Sequence, residues 1–245
     1  MPQIKTIAFD GDDTLWHHEN FFSQARADFN SMMVHYGLLA EHAQQVLDDL
    51  HITNIPTLGY GVKSFTIAMV EAALQLTHDE IKGADLRAII LLGKKLLSHP
   101  VDLLDGVLET VSALHSQYRL MIITKGELVA QEYKVQQSGL RHYFKHIEIV
   151  AEKDVATYQR IFDEHHLNPA EVLMIGNSIK SDIIPLLQLG AQAIHIPYHT
   201  TWKGEQAELA ETDKGRFVLL PSMANVPNLL AKVAKNPDKF LSDLV

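Results

Sequence analysis

Residues 4–9, IKTIAF, are nearly continuous in apolar character and rich in β-branched and aromatic side chains, which predicts a strand buried on both faces. After it the period changes. Phe21, Phe22, Ala25, Phe29, Met32, Met33 and Tyr36 recur at helical spacing, with Asn20 placed to cap that helix and Gly37 to stop it. The same spacing returns over Ala40–Leu50, Phe65–Leu76 and Leu86–Leu97, broken by Pro56, Gly59 and Gly61 and again by Gly83. No strand pattern interrupts residues 17–98, so they read as an all-helical insert.

Beyond His99-Pro100 the two periods alternate. Helical stretches over Val107–His115, Glu127–Gln137, Thr157–His166 and Ser181–Leu189 separate short apolar runs at Arg119–Ile123, Ile147–Val150, Val172–Ile175 and Ala193–Ile196. Phe217–Leu220 reads as a late strand. Strands joined through helices of this length predict an α/β fold, a doubly wound parallel sheet covered on both faces. The expected division is an α/β core of 1–16 and 99–245 and a helical domain of 17–98.

Composition narrows the partners. The chain is 47% hydrophobic, enough for a substantial core, and its formal net charge of −9 with no basic stripe speaks against nucleic acid. It has no cysteine, which excludes disulfides and thiolate chemistry. No run approaches ~18 uninterrupted apolar residues, so the expectation is a soluble, cytoplasmic protein without a membrane partner. The oligomeric state is not legible.

Four polar features follow four of the strands: Asp10 and Asp12; Thr124-Lys125-Gly126; Glu152-Lys153-Asp154; and Gly176-Asn177-Ser178 with Asp182 shortly after. In an open parallel sheet, ligands bind beyond the carboxyl ends of the strands, so these features can share one pocket. Each alone has a plain reading as a turn or a solvated lysine. A calcium EF-hand is excluded, because the sixth and twelfth positions counted from Asp10 are Leu15 and Phe21, not Gly and Glu. Histidine pairs such as His195 and His199 make a poor zinc site with Pro197 between them.

As an ordered set the four features resemble the signatures of the haloacid dehalogenase-like superfamily of hydrolases, over residues 4 to about 197. FDGDDTL matches its Asp-x-Asp-x-Thr signature, Thr124 and Gly126 the second, Lys153 the third, and GNSIKSD the fourth. Lys125 stands where that family often has Asn, and Asn177 where it usually has Asp. The resemblance implies a Rossmann-like core with a helical cap acting as a lid. It implies a magnesium-dependent phosphatase that hydrolyses a small phosphorylated metabolite through an aspartyl-phosphate.

In that reading Asp10 is the nucleophile and Asp12 the acid/base. Thr124, Lys125, Gly126 and Lys153 bind substrate, and Asp10, the Asp12 carbonyl, Asn177 and Asp182 hold Mg2+. With Asn177 neutral, magnesium should bind the free protein weakly and the substrate phosphate should tighten it. The alternatives are a 2-haloacid dehalogenase using the same aspartate without metal, a phosphomutase, and a non-catalytic binding protein.

Overall fold

The computed structural model describes residues 3–208 and 217–236. Residues 1–2, 209–216 and 237–245, which the sequence reading assigns to the α/β core, lie outside the described residues. The described residues form two compact units, one within Met1–His17 and Val101–Val245, the other His18–Pro100.

The first unit is built on six parallel strands: β1 (Thr6–Phe9), β2 (Arg119–Lys125), β3 (His146–Val150), β4 (Val172–Gly176), β5 (Gln192–His195) and β6 (Phe217–Leu219). Their order in the sheet is β3-β2-β1-β4-β5-β6. The chain therefore reverses its direction of winding at β1, where Phe9 pairs with Ile122 on one side and Ile175 on the other. A crevice opens at such a switch point, and Asp10 is the first residue beyond it.

Strand alternation divides the core in two. Ile7, Phe9, Ile122 and Ile175 pack with Val107 and Val111 of α5 (Val107–Leu114), Val135 of α6 (Leu128–Gln137) and Leu229 of α9 (Val226–Lys235). Ala8, Met121, Ile123 and Met174 pack with Tyr158, Ile161 and Phe162 of α7 (Val155–Glu164) and Leu186 of α8 (Ile184–Gln188). Apolar residues on both sides of every central strand are what the uninterrupted runs in the sequence require.

The second unit is helical: α1 (Glu19–His35), α2 (Ala40–Leu58), α3 (Val62–Leu76) and α4 (Gly83–Leu97). Phe22, Phe29, Met33, Leu47, Phe65, Met69 and Ile89 form its core. Three boundaries differ from the expectation. His18, not Asn20, precedes the first helix. Gly83 starts α4 instead of merely separating helices. Pro56 lies inside α2, one turn from its end, where it forfeits a single backbone bond and the Gly59 N–H still closes on the Ile55 carbonyl at 2.8 Å.

Candidate active site

The turn after β1 is shaped by a close approach. A Cβ on Gly11 would lie 2.8 Å from the Trp16 ring and 2.9 Å from the Thr124 hydroxyl, so only glycine lets the chain pass. Asp13 then adopts a left-handed φ of 62°, which Asp tolerates better than most residues. Leu15 N–H closes the turn on the Gly11 carbonyl at 2.8 Å. Asp10 emerges 7% exposed, with the Thr14 hydroxyl donating to its Oδ2 at 3.2 Å.

Lys153, 4% exposed after β3, donates to Asp10 Oδ1 and, at 2.7 Å, to Asp182 Oδ1. Burial alone would push this lysine down, but the two carboxylates outweigh it and hold it well above its ordinary value. Burial likewise pushes Asp10 up to about 7, against the pull of Lys153 and with the charges of Asp182 and Asp12 adding to the rise.

Asp182 sits in an unusual turn. Ile179–Ile183 is π-helical and runs into α8, whose first turn holds Pro185. Proline has no N–H to offer the Ser181 carbonyl, and the Tyr158 hydroxyl donates to it instead at 3.0 Å. The wide turn aims Asp182 back at the strand end, where Ser178 N–H donates to Oδ2 at 2.9 Å. A side chain on Gly176 would collide with that carboxylate.

Asp12 lies across the turn, held by donors from Trp16, Gln131 and Lys134. Trp16 Nε1 reaches Oδ1 at 2.6 Å, Gln131 Nε2 reaches Oδ2 at 3.1 Å, and Lys134 Nζ reaches both oxygens at 2.8 Å. Gln131 and Lys134 are three apart on α6, one turn of one face, and sequence reasoning missed both. Thr124 is fully buried and its hydroxyl has no hydrogen-bond partner among the described residues. Gly126 gives its own N–H to the Val150 carbonyl at 3.1 Å, so amide donors near it come from the first turn of α6. Lys125 is engaged by Glu205 at 2.5 Å, Ser181 at 3.1 Å and Glu152 at 3.3 Å. The sequence reading missed Glu205, which lies 80 residues from Lys125 in the chain.

Asn177 decides whether the site suits a cation. With its amide nitrogen turned inward it donates to Asp10 Oδ2 at 3.1 Å and to the Asp12 carbonyl and Thr14 hydroxyl at 3.2 Å. With its oxygen inward, that oxygen accepts from the Thr14 hydroxyl at 3.2 Å and faces Asp10 Oδ2 at 3.1 Å and the Asp12 carbonyl at 3.2 Å. Separations of this size match the edges of about 3 Å in a magnesium octahedron with bonds of about 2.0–2.1 Å. In that orientation the donors are all oxygens, the kind a hard cation takes. His195 Nε2 donates to the Asn177 carbonyl at 2.9 Å and anchors this loop from β5. Among the described residues no cluster of three or more His, Cys, Asp or Glu side chains forms a metal site, consistent with donors that include a backbone carbonyl and an amide.

Residues 4–190 match the haloacid dehalogenase-like hydrolase family. The chain belongs to it. This hydrolase is similar to a haloacid dehalogenase-like hydrolase from Xanthomonas campestris, at 36% identity and a TM-score of 0.81, covering 95% of this chain and 94% of that one. It is 26% identical to the pyrimidine 5'-nucleotidase YjjG of Escherichia coli, over 79% of this chain and 86% of that protein. It is 25% identical to the glyceraldehyde 3-phosphate phosphatase of Methanothermobacter thermautotrophicus, over 78% and 84%. The 2-haloacid dehalogenase of Pseudomonas syringae shares its fold, at 19% identity and a TM-score of 0.61, over 94% of this chain and 99% of that one. No helix among the described residues of this hydrolase is long and apolar enough to cross a membrane.

Proposed function

We propose that this hydrolase is a magnesium-dependent phosphomonoesterase acting on a small phosphorylated metabolite, with Asp10 as nucleophile. The observation that carries the reading is the crevice at the end of β1. There Lys153 clasps Asp10, the Thr124 hydroxyl has no partner among the described residues, and a second aspartate stands two residues on.

In the first step an Asp10 oxygen attacks phosphorus while the ester P–O bond breaks, and the leaving alkoxide takes a proton from Asp12. In the second, water attacks the phosphorus of the aspartyl-phosphate, its proton passes to Asp12, and the bond to Asp10 breaks to release phosphate. For the first step Asp12 must carry a proton and face the leaving oxygen, so Lys134 has to give up at least one of its contacts. Thr124 and Lys153 meet the charge gathered on the phosphoryl oxygens. Asp10, the Asp12 carbonyl and Asn177 would hold magnesium, with Asp182 orienting Lys153 and the loop beside it. When bound, the ion offsets the repulsion between an anionic nucleophile and an anionic ester. The helical unit, residues 18–100, would serve as the lid that excludes water and selects substrate.

Sequence relatives that are a nucleotidase and a sugar-phosphate phosphatase support the ester class. A metal-free dehalogenase is the second reading, favoured by the neutral Asn177; Asp12 weighs against it, because halide leaves without a proton. The test is phosphate release across nucleotides, sugar phosphates and organic acid phosphates, with halide release from 2-chloropropionate measured beside it. Phosphate release that needs Asp10 is expected. Halide release alone would overturn the reading.

A further inference from the structure

We propose that Glu205 is a positioning residue: it ties the Lys125 end of β2 to the turn after β4 and so sets the opening between Thr124 and Asn177. The inference rests on the phosphatase reading of that opening. In the sheet, β1 lies between β2 and β4, so no ladder of backbone bonds joins the ends of those two strands directly. Glu205 spans them. Its Oε1 accepts from Lys125 Nζ at 2.5 Å, and its Oε2 accepts from the Ser178 hydroxyl at 2.5 Å and the Ser181 hydroxyl at 2.6 Å.

The network closes on itself. Lys125 also donates to Ser181 Oγ at 3.1 Å, and Ser181 N–H donates to Ser178 Oγ at 3.0 Å. Lys125 adjoins Thr124, while Ser178 adjoins Asn177, so both ends of the tie bear on groups that face the phosphoryl position. The segment that delivers Glu205 is itself fastened, since Lys180 Nζ donates to the Gly204 carbonyl at 2.7 Å and the Trp202 ring lies where a Gly204 side chain would go. Burial pushes the Glu205 carboxyl up, yet Lys125 and the two serine hydroxyls outweigh it and hold it below its ordinary value. An anion is thus available at neutral pH to match Lys125. Without Glu205 the Lys125 ammonium loses its shortest ion pair and keeps the longer one to Glu152 at 3.3 Å, so it would shift away from the turn after β4 and carry Thr124 with it.

The experiment is a double-mutant cycle on the full chain with Glu205→Gln, Glu205→Ala, Lys125→Met and Lys125→Met/Glu205→Ala, assayed on the best phosphate ester. Misplacing groups by a fraction of an ångström should lower kcat about tenfold in each single variant, with KM changed less than about threefold and melting temperature nearly the parent's. The double variant should lose no more than the worse single, the mark of one shared interaction. The amide resonances of Gly126 and Ser178 should both move in Glu205→Gln. Parent-like kcat in both Glu205 variants, additive losses in the double, or a loss that tracks unfolding in both variants would overturn the proposal. Should the parent release no phosphate from any ester, the phosphatase reading fails by itself, and the resonances still judge the tie. Movement at one end only would overturn it.

Discussion

Each unit of this protein buries a cation between two carboxylates, and the two triads are not alike. In the helical unit, Arg26 donates to Glu19 at 2.5 Å, approaches Asp48 at 3.5 Å and lies over the Phe65 ring at 5.2 Å. Glu19 and Arg26 are two turns apart on one face of α1, and Asp48 comes from the neighbouring helix α2. At that 3.5 Å Arg26 Nε and Asp48 Oδ1 form an ion pair but no hydrogen bond among the described residues. In the sheet unit, Lys153 joins Asp10 and Asp182 from three strand ends, beside a Thr124 hydroxyl that no group among the described residues satisfies. Helices packed side by side let charges find each other across one layer. Strand ends at a switch point bring a lysine and two carboxylates into direct hydrogen bonds, and leave the neutral Thr124 hydroxyl beside them without one among the described residues.

The comparison breaks first at the nucleophile. Asp10→Asn should reduce turnover by at least about 10⁴-fold, because an amide does not attack phosphorus, whereas Asp48→Asn should leave kcat within about twofold. Steady-state assays with melting curves for both proteins check this, and near-parent activity in folded Asp10→Asn would remove Asp10 from its role.

Next come the two cations. Lys153→Met and Arg26→Met each leave two buried carboxylates without their cation and should cost roughly 3–5 kcal/mol in urea unfolding. Only the Lys153 variant should also lose turnover in the fraction that remains folded. A folded, inactive Arg26→Met protein would show that the helical triad is not merely structural.

A third test uses pH. His51, buried beside Phe65 in the helical unit, is pushed down to about 4 by burial and by the Arg26 charge. The unfolded chain takes up a proton below about 6.5 while the folded one refuses it until about 4, so stability should fall as pH drops through that window. The loss is about 3 kcal/mol, and His51→Leu should flatten it in denaturation curves recorded between pH 4 and 7.

The smallest effect concerns Asn177. Its replacement in Asn177→Asp adds a carboxylate oxygen beside Asp10 and should tighten magnesium on the free protein about tenfold by calorimetry. A phosphate analogue should tighten the parent more than the variant. Unchanged affinity in Asn177→Asp would place residue 177 away from the ion and favour the metal-free reading.

Much of this was legible before any coordinates. Short apolar runs ended by Asp, Thr, Lys or Asn mark parallel strands and their carboxyl ends, because strand period and turn preference are local properties. The order of those runs, with the helical block between the first and second, carried the fold class and the family. Helix ends were read less well: Pro56 suggested a break, but a proline one turn from a helix end forfeits little. The partners of the site residues were not legible at all. Lys134 and Gln131 look like any exposed helix face until α6 lies beside the turn that holds Asp12. Glu205 looks like a solvated acid until its segment crosses from Lys125 to Ser178. Sequence determined which groups stand at the strand ends, since local geometry puts them there. Only the tertiary structure decided which of them touch, because electrostatic and hydrogen-bonding partners are chosen by distance in space, and here that distance is independent of separation along the chain.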